Sequence, residues 1–402
     1  MLAGATPAVH TAAMVQTRRH VLQLLAAAPA LSACGGGNLP DPYAAWRDPG
    51  AGETDPRRFA LAHAILAPNP HNTQPWQVEL DDTDGMTLYC DLDRRLPFTD
   101  PLDRQITIGC GAFLHLYWIA LTKVGRGCEF VLFPEGAPAI GERLDSRPIA
   151  HARAVPLNTE EAGPELFEDF ITQRRTNRKP YEADRVPAES ALNAIATAGL
   201  DWLRSESTDP LMAVQWTTET AAVVRLRDLV WRAFDQEMRT EGAAAETFEW
   251  LRFGREEIAR HRDGLGMTGP MLPALKAFGL LDREDLINPS SFANSSAASD
   301  WREKAETAPA FMWLTTADDS PMARLSAGFA YARMNLAATA NGIAMHPWSQ
   351  ALQEYEAMAE VYAEAREILN PGTGTVQMLV RVGHAEPVEP SARRGVEAIL
   401  RA

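Results

Sequence analysis

The sequence predicts an α+β fold in two interlocked halves, each a mixed or antiparallel sheet covered by long helices. Three observations lead there. Two long apolar helical runs, residues 105–124 and 321–340, are alike: Gly111 to Gly125 and Gly328 to Gly342 span equal intervals, and within that frame Ile119 aligns with Leu336, Ala120 with Ala337 and Thr122 with Thr339. Each run is followed by a short extended segment. At 402 residues the chain also exceeds the usual size of a single core. A repeat of a whole supersecondary unit points to duplication. Two independent core helices, Ala-rich for close packing, are the alternative.

The elements follow in order. Residues 57–66 form a helix. Residues 77–80 and 86–92 form a hairpin around a turn at 81–85. Residues 93–104, polar and Pro-containing, form a loop before the helix at 105–124, and residues 128–133 form a strand bounded by Pro134. Helices are expected at 163–173, 189–198 and 210–240. The segment 243–300 holds a helical piece at 246–262, a Gly/Met-rich turn and a polar stretch at 290–299. A segment of that length in a compact domain is either a functional lid or a surface excursion. A buried strand at 310–315 precedes the helix at 321–340, which Asn341 and Gly342 cap. A last strand at 375–382 and a short closing helix complete the chain. The halves divide as 55–160 and 161–402, with the lid-like insertion at about 243–300 in the second.

Composition narrows the function. A formal net charge of −15 disfavours a nucleic-acid partner, which needs a basic surface. Nine histidines and four cysteines show no metal-ligand spacing, so no metal site is expected. The hydrophobic content of 46% suffices for large cores.

Residues 1–34 read as a targeting segment. Arg18 and Arg19 resemble a twin-arginine export motif, residues 21–33 are apolar but too short to span a bilayer, and Leu31, Ser32, Ala33 and Cys34 look like a lipobox with Cys34 lipidated. Met14 is a candidate start. Residues 35–54, rich in Gly, Pro and Asp, read as a flexible tether. The expected address is the periplasmic face, with the membrane met only through the lipid anchor. Twin-arginine export carries folded proteins, which suits a chain that loads a cofactor first. Of the remaining cysteines, Cys90 and Cys128 fall on expected strands and could pair in an oxidising compartment, and Cys110 would then be free; buried thiols are the alternative.

Two stretches carry chemistry. Residues 67–76 read Ala-Pro-Asn-Pro-His-Asn-Thr-Gln-Pro-Trp. Prolines at 68, 70 and 75 stiffen the loop, and Asn69, Asn72 and Gln74 can aim amides at a flat polar ligand or simply terminate the preceding helix. His71, inside the loop, titrates near working pH or packs there. Arg174, Arg175, Thr176 and Arg178 put three guanidiniums together; the fork suits bidentate phosphate recognition, or the run caps a helix end.

Both stretches resemble the FMN-dependent nitroreductase family. The loop matches its Ala-Pro-Ser-x-x-Asn-x-Gln-Pro-Trp signature, with Asn69 in place of Ser, and the basic run is similar to the Arg-Arg-Ser/Thr-x-Arg motif that holds the FMN phosphate. The resemblance implies a nitroreductase-like fold and FMN as cofactor. Pro68, Asn69, Pro70, Asn72 and Gln74 would lie along the isoalloxazine ring, and Arg174, Arg175, Thr176 and Arg178 at the phosphate. By the same resemblance Arg393 and Arg394 reach the phosphate, and Pro347, Trp348 and Ser349 bring backbone amides towards flavin N5, where the family often has a Gly that this chain lacks. Nitroreductases are typically intertwined homodimers. Here one loop and one Arg motif stand in one chain, which resembles the fused, pseudo-dimeric Acg-like branch with a single flavin site.

The resemblance implies ping-pong hydride or electron transfer to an electron-poor small molecule, nitroaromatic or quinone-like. The flavin carries the chemistry and no catalytic side chain is required. The electron donor is open, NAD(P)H among the candidates. The competing readings are a flavin-sequestering protein with little turnover and a membrane-anchored interaction module whose flavin site has decayed.

Overall fold

The computed structural model describes residues 39–157, 167–201, 212–269, 292–369 and 372–401. The export motif, the lipobox and Cys34 lie outside these residues. The first half runs α1 (Pro56–Ala64), β1 (Trp76–Leu80), β2 (Gly85–Cys90), α2 (Arg104–Lys123), β3 (Arg126–Leu132) and β4 (Ala150–Pro156). Its sheet is ordered β1-β2-β4-β3, antiparallel throughout.

The second half begins with α3 (Glu189–Asp201) and β5 (Ala213–Thr217). An insertion follows: α4 (Thr220–Arg239), α5 (Glu241–Glu249), β6 (Leu251–Phe253), α6 (Gly254–His261), β7 (Leu265–Met267) and α7 (Phe292–Glu306). The half then resumes with β8 (Ala310–Thr316), α8 (Pro321–Ala340), β9 (Ala344–Pro347), α9 (Ala359–Leu369) and β10 (Thr375–Gly383). This sheet is ordered β5-β8-β10-β9, again antiparallel. Strand for strand the two orders coincide: the strand after each long helix takes an edge, and the next returns inside it. The insertion, with the parallel pair β6-β7, sits where the first half has only the turn between β1 and β2.

Helices α2 and α8 are apolar nearly all round and fully buried over most of their length. They cross at the repeat-frame glycines. A Cβ on Gly111 would lie 2.1 Å from the Leu325 carbonyl oxygen, and one on Gly328 would lie 2.1 Å from that of Ile108. Gly125 and Gly342, the other ends of the frame, take φ of 71° and 66°, the left-handed conformation that stops each helix. Sequence extremes interlock as well. Past β10 the tail crosses to the first half, where Leu400 forms a parallel bridge with Val78, whose N–H donates to Ile399 (2.8 Å).

The structure corrects several expectations. Residues 39–54 are not a free tether: Trp46 is buried, and its indole N–H donates to the Ser391 carbonyl at 2.7 Å. The expected helix at 163–173 is a single turn at Glu168–Phe170 in its described part. The one expected at 210–240 begins as strand β5 and becomes helical only from Thr220. The piece at 246–262 is two helices broken by β6, with Gly254 at φ 82°. The polar stretch 290–299 enters α7. Strand β4 and helix α9 carry no expectation at all. Cys90, Cys110 and Cys128 are free thiols. β4 lies between β2 and β3, so Cys90 and Cys128 sit on strands that are not neighbours.

Candidate functional site

The loop after α1 is tightly wound. His71, Asn72 and Gln74 all take positive φ, 48°, 54° and 54°, which L-residues adopt only under surrounding constraint. The constraint is a set of amide hydrogen bonds. Asn69 Oδ1 accepts from the Gln74 N–H (2.8 Å), and Asn69 Nδ2 donates to Ala67 (3.1 Å). Asn72 Nδ2 donates to the carbonyls of Gly264 and Ala392, both at 3.0 Å, and its oxygen accepts from Arg393. Gln74 Nε2 donates to Arg262 (2.9 Å), and Gln74 Oε1 accepts from the Arg394 N–H (2.9 Å). The loop is thus pinned to the insertion on one side and to the tail on the other. It packs on α2 at Gly109, where a Cβ would come within 3.3 Å of Asn69.

A cavity of about 490 Å³ lies between this loop, the N-terminal part of α2, Tyr331 of α8, the end of β9 and the insertion. Pro68, Asn69, Pro70, His71, Gln105 and Gly109 form one wall. Pro347, Ser349, Gln350 and His346 form another. The insertion supplies the rest, with Phe234, Met238, Phe248, Leu251, Leu265, Met267 and Trp301 as an apolar and aromatic face. Trp301 and Phe234 stack at 4.5 Å and 14°. Size and lining suit a flat organic molecule.

One end of the cavity is cationic. Pro68, Asn69, Thr176 and Arg178 also line a cleft with Trp46, Asn72, Arg174, Arg175, Glu389, Ser391 and Arg393. Arg174 and Arg393 are 2% and 4% exposed. Arg174 Nη2 donates to Leu66 (2.9 Å), and Arg393 Nη2 reaches Leu66 and Ala67 (3.2 Å each). Nε of Arg174, Arg175 and Arg393, and Nη1 of Arg174, are buried without a partner among the described residues. The Trp46 ring lies under Arg175, Arg393 and Arg174 at 4.7, 5.1 and 5.6 Å. Burial lowers the Arg174 guanidinium to about 10, and lowers those of Arg175, Arg178 and Arg393. Among the described residues Glu389 is the one carboxylate lining the cleft, and it offsets part of the loss at Arg175. Buried cations without acids are costly unless an anion completes them.

Sequence-expected residues divide accordingly. Pro68, Asn69, Pro70, Pro347 and Ser349 line the cavity, and Arg174, Arg175, Thr176, Arg178 and Arg393 converge on the cleft. Asn72 touches only the cleft, its amide spent on the tail and insertion. Gln74 lines neither space, because both ends of its amide are spent on those segments. Arg394 donates to the Gln74 carbonyl at 2.7 Å and holds the loop rather than facing the cleft. Trp348 is buried with Leu352 and Leu379 against Trp301 in the second half, and its backbone N–H donates to the Leu379 carbonyl in β10.

Sequence reasoning missed Trp46, whose only signal is an aromatic side chain in a supposed tether. It also missed Arg381, fully buried on β10. Its guanidinium holds the end of the basic run by donating to the Lys179 carbonyl (2.8 Å), and its Nε–H donates to His346 Nδ1 at 3.0 Å. Glu237 went unnoticed too. It is 1% exposed in the cavity wall, with Thr247 donating to Oε1 (2.9 Å) and Gln353 to Oε2 (3.1 Å). Burial raises its carboxyl to about 7. Thr247 also meets His71 Nε2 at 3.0 Å, and burial holds that imidazole down to about 4.

Known proteins resemble this chain over most of its length. "Putative NAD(P)H nitroreductase Rv3131" of Mycobacterium tuberculosis is 28% identical over 353 residues, 85% of this chain and 90% of that protein. "Probable NAD(P)H nitroreductase PigM" of a Serratia species is 23% identical over 85% of this chain and 92% of its own length. "Putative NAD(P)H nitroreductase acg" of Mycobacterium tuberculosis is 30% identical across 45% of this chain and 53% of its own. Among solved structures, the FMN-dependent nitroreductase NfnB from Mycobacterium smegmatis covers 61% of this chain and 95% of its own, at 23% identity and a TM-score of 0.33, too slight a likeness to transfer any contact. No family model matches.

Proposed function

We propose that this chain, a relative of proteins named as nitroreductases, is an FMN-dependent oxidoreductase of nitroreductase type with one flavin site. A nicotinamide is the donor and an electron-poor small molecule the acceptor. The observation that carries the reading is the cluster of buried guanidiniums, four of whose nitrogens lack a partner among the described residues, at the end of a flat cavity. A phosphate monoester fits that donor set: Arg174, Arg175, Arg178 and Arg393 would hold its charge, and the Thr176 hydroxyl lies among them. The planar ring would lie along Pro68, Asn69 and Pro70. When bound, FMN supplies the hydride-accepting and hydride-donating centre.

The chain's own residues bind, orient and exclude water. The absence of a side chain at Gly109, where a Cβ would lie 3.3 Å from Asn69, lets the loop stand close to α2. Arg381 fixes the basic run against β10. The insertion closes over the ring side with an apolar face, which favours flat aromatic acceptors and keeps bulk water from the transferred hydride. The insertion is tied to the loop through Gly264 and Arg262, which also supports a flavin-sequestering protein with little turnover as the second reading. The coinciding strand orders support a fused pseudo-dimer. The twin-arginine motif and Cys34 support export and a lipid anchor, testable by fatty-acid labelling of wild type and Cys34→Ala.

The direct test is a visible spectrum with released-flavin analysis of the purified chain, repeated with Arg174 and Arg178 changed to Ala. One FMN per chain, lost in the double variant, is the expected result. A colourless chain that takes up no FMN rejects both flavin readings. Bleaching by NADPH distinguishes the reductase from the sequestering protein.

A further inference from the structure

Glu237 is a buried acid in the cavity wall for which the flavin site has no use. It lines the same cavity as the apolar face of the insertion, and both its oxygens are held: Oε1 by the Thr247 hydroxyl, Oε2 by Gln353. Thr247 and His71 line the same cavity, and the 3.0 Å contact between them extends the chain of hydrogen bonds to the Pro-Asn loop. When Glu237 is a carboxylate, the Thr247 hydroxyl donates to it and His71 Nε2–H donates to Thr247. When Glu237 is protonated, both bonds can reverse direction. That is the wiring of a proton relay, and it connects the insertion to the loop along the wall of the cavity.

We propose that Glu237 is the general acid for the acceptor, delivering a proton to its oxygen as hydride arrives, with Thr247 and His71 as the relay that reprotonates it. This rests on the proposed flavin site. The hydride brings both electrons from the two-electron-reduced cofactor. The Glu237 O–H bond breaks, its electron pair stays on the carboxylate, and an O–H bond forms on the acceptor. The carboxylate regains a proton from solvent through the partly exposed His71 and Thr247. The acceptor class follows: a flat aromatic bearing a reducible oxygen, quinone or nitro.

Burial is what raises the acid, so that it holds its proton up to about neutral pH, against the opposing hydrogen bonds from Thr247 and Gln353. Glu246 of α5 presents a second carboxylate, held by the Phe98 and Thr99 N–H groups (2.9 and 2.7 Å) and the Thr99 hydroxyl, and its negative charge disfavours ionisation of Glu237. On its own helix, Asp235 and Arg239 line the same cavity. From the other elements, Tyr355 interacts electrostatically with Glu237, Gln350 hydrogen-bonds it, and His71 and Arg178 line the same cavity. A general acid is most effective with its pKa near the working pH.

The test uses the full chain loaded with FMN and reduced by dithionite under argon. Reoxidation by 1,4-benzoquinone and by ferricyanide is followed in stopped flow for wild type and Glu237→Gln. Quinone reduction consumes a proton, whereas ferricyanide takes single electrons and none. The expected result is a roughly 100-fold slower quinone reaction in Glu237→Gln, with ferricyanide unchanged. The wild-type quinone rate falls as pH rises through neutrality, and the variant profile is flat. Infrared difference spectra between acid and alkaline pH, which need no turnover, should show a protonated carboxyl band that Glu237→Gln removes. Equal quinone rates, equal loss with both acceptors, or no such band overturns the proposal. A chain that takes up no FMN overturns the flavin reading as well, while uptake with equal quinone rates overturns the role of Glu237 alone.

Discussion

Gly111 and Gly328 meet at the crossing of α2 and α8, so close that a methyl group on either would press into the other helix's backbone. The Cβ of an alanine at 111 would stand 3.0 Å from the Gly328 Cα and 2.1 Å from the Leu325 carbonyl oxygen. Backbone cannot rotate away as a side chain does, so the helices would have to separate. Both helices line the cavity, α2 through Gln105 and Gly109 and α8 through Tyr331. Gly111→Ala is expected to cost about 2 kcal/mol or more in denaturant unfolding. Gly395→Ala, with nothing within 4 Å of its Cβ, serves as the neutral control.

The arginine cleft predicts a separation of stability from binding. Burial disfavours the Arg174 cation, and among the described residues no carboxylate forms an ion pair with it. Arg174→Ala should therefore leave the melting temperature of the FMN-free chain unchanged or raised. The FMN-dependent rise should shrink, because a ligand stabilises the folded state only in proportion to its affinity. An affinity loss of about 2 kcal/mol is expected for one charge-assisted contact. Arg174→Lys should not restore it, since the forked guanidinium is not reproduced by an ammonium. Thermal shift against FMN concentration gives both quantities. An equal FMN-dependent rise in the variant would remove Arg174 from the anion site.

Some of this architecture is legible in the sequence because the signals are local. The helix Pro321–Ala340 matches its expected span because its cap, first-turn proline and terminator are adjacent: the Ser320 hydroxyl accepts from Ala323 N–H, and Gly342 ends it in the left-handed conformation. The four glycines of the repeat frame were visible as spacing, but the crossing made by two of them was not. Strand β4 was unreadable, since Ala-His-Ala-Arg-Ala-Val-Pro has little β-propensity and owes its place to two neighbouring strands. Asn72 and Gln74 were recognised as hydrogen-bonding amides, but their partners lie some 320 residues away on the tail, and no local pattern encodes that. Glu237 falls within the helix expected at 210–240, and nothing in its local sequence signals that the fold buries it.

Glu237 also predicts how stability varies with pH. Its folded pKa, about 7, is raised above the ordinary value of 4.5, so the folded chain binds more protons than the unfolded chain between those values. Stability from this group is therefore full below about pH 4.5 and is lost as pH rises towards 7. Asp100, raised to about 6 by burial, acts in the same direction. His71, held down to about 4, acts oppositely: its contribution is present above about 6.5 and lost as pH falls towards 4. Glu237→Gln should become more stable relative to wild type as pH rises from 5 to 8, by a few kcal/mol on the scale of 1.4 kcal/mol per pKa unit. Chemical denaturation at the two pH values measures it. A pH-independent difference would mean that Glu237 is ionised throughout.

The segment before α1 completes the cleft rather than merely linking it to something else. Trp46 lies within 5.6 Å of three guanidiniums, and the Pro42 carbonyl accepts the Arg393 N–H at 3.0 Å. Without the indole those cations would be open to water on one face and free to leave the positions in which they converge. Each cation–aromatic contact is worth about 0.5–2 kcal/mol, more when desolvated as here. A chain beginning at residue 55 should therefore bind FMN roughly tenfold to a hundredfold more weakly than one beginning at residue 39, by fluorescence titration. Trp46→Leu in the longer chain should reproduce most of the loss, because it keeps the segment docked through Pro42 while removing the π face. Equal affinity in all three chains would return residues 39–54 to the role of a tether and leave the guanidiniums to be positioned by Leu66, Ala67 and Asn72 alone.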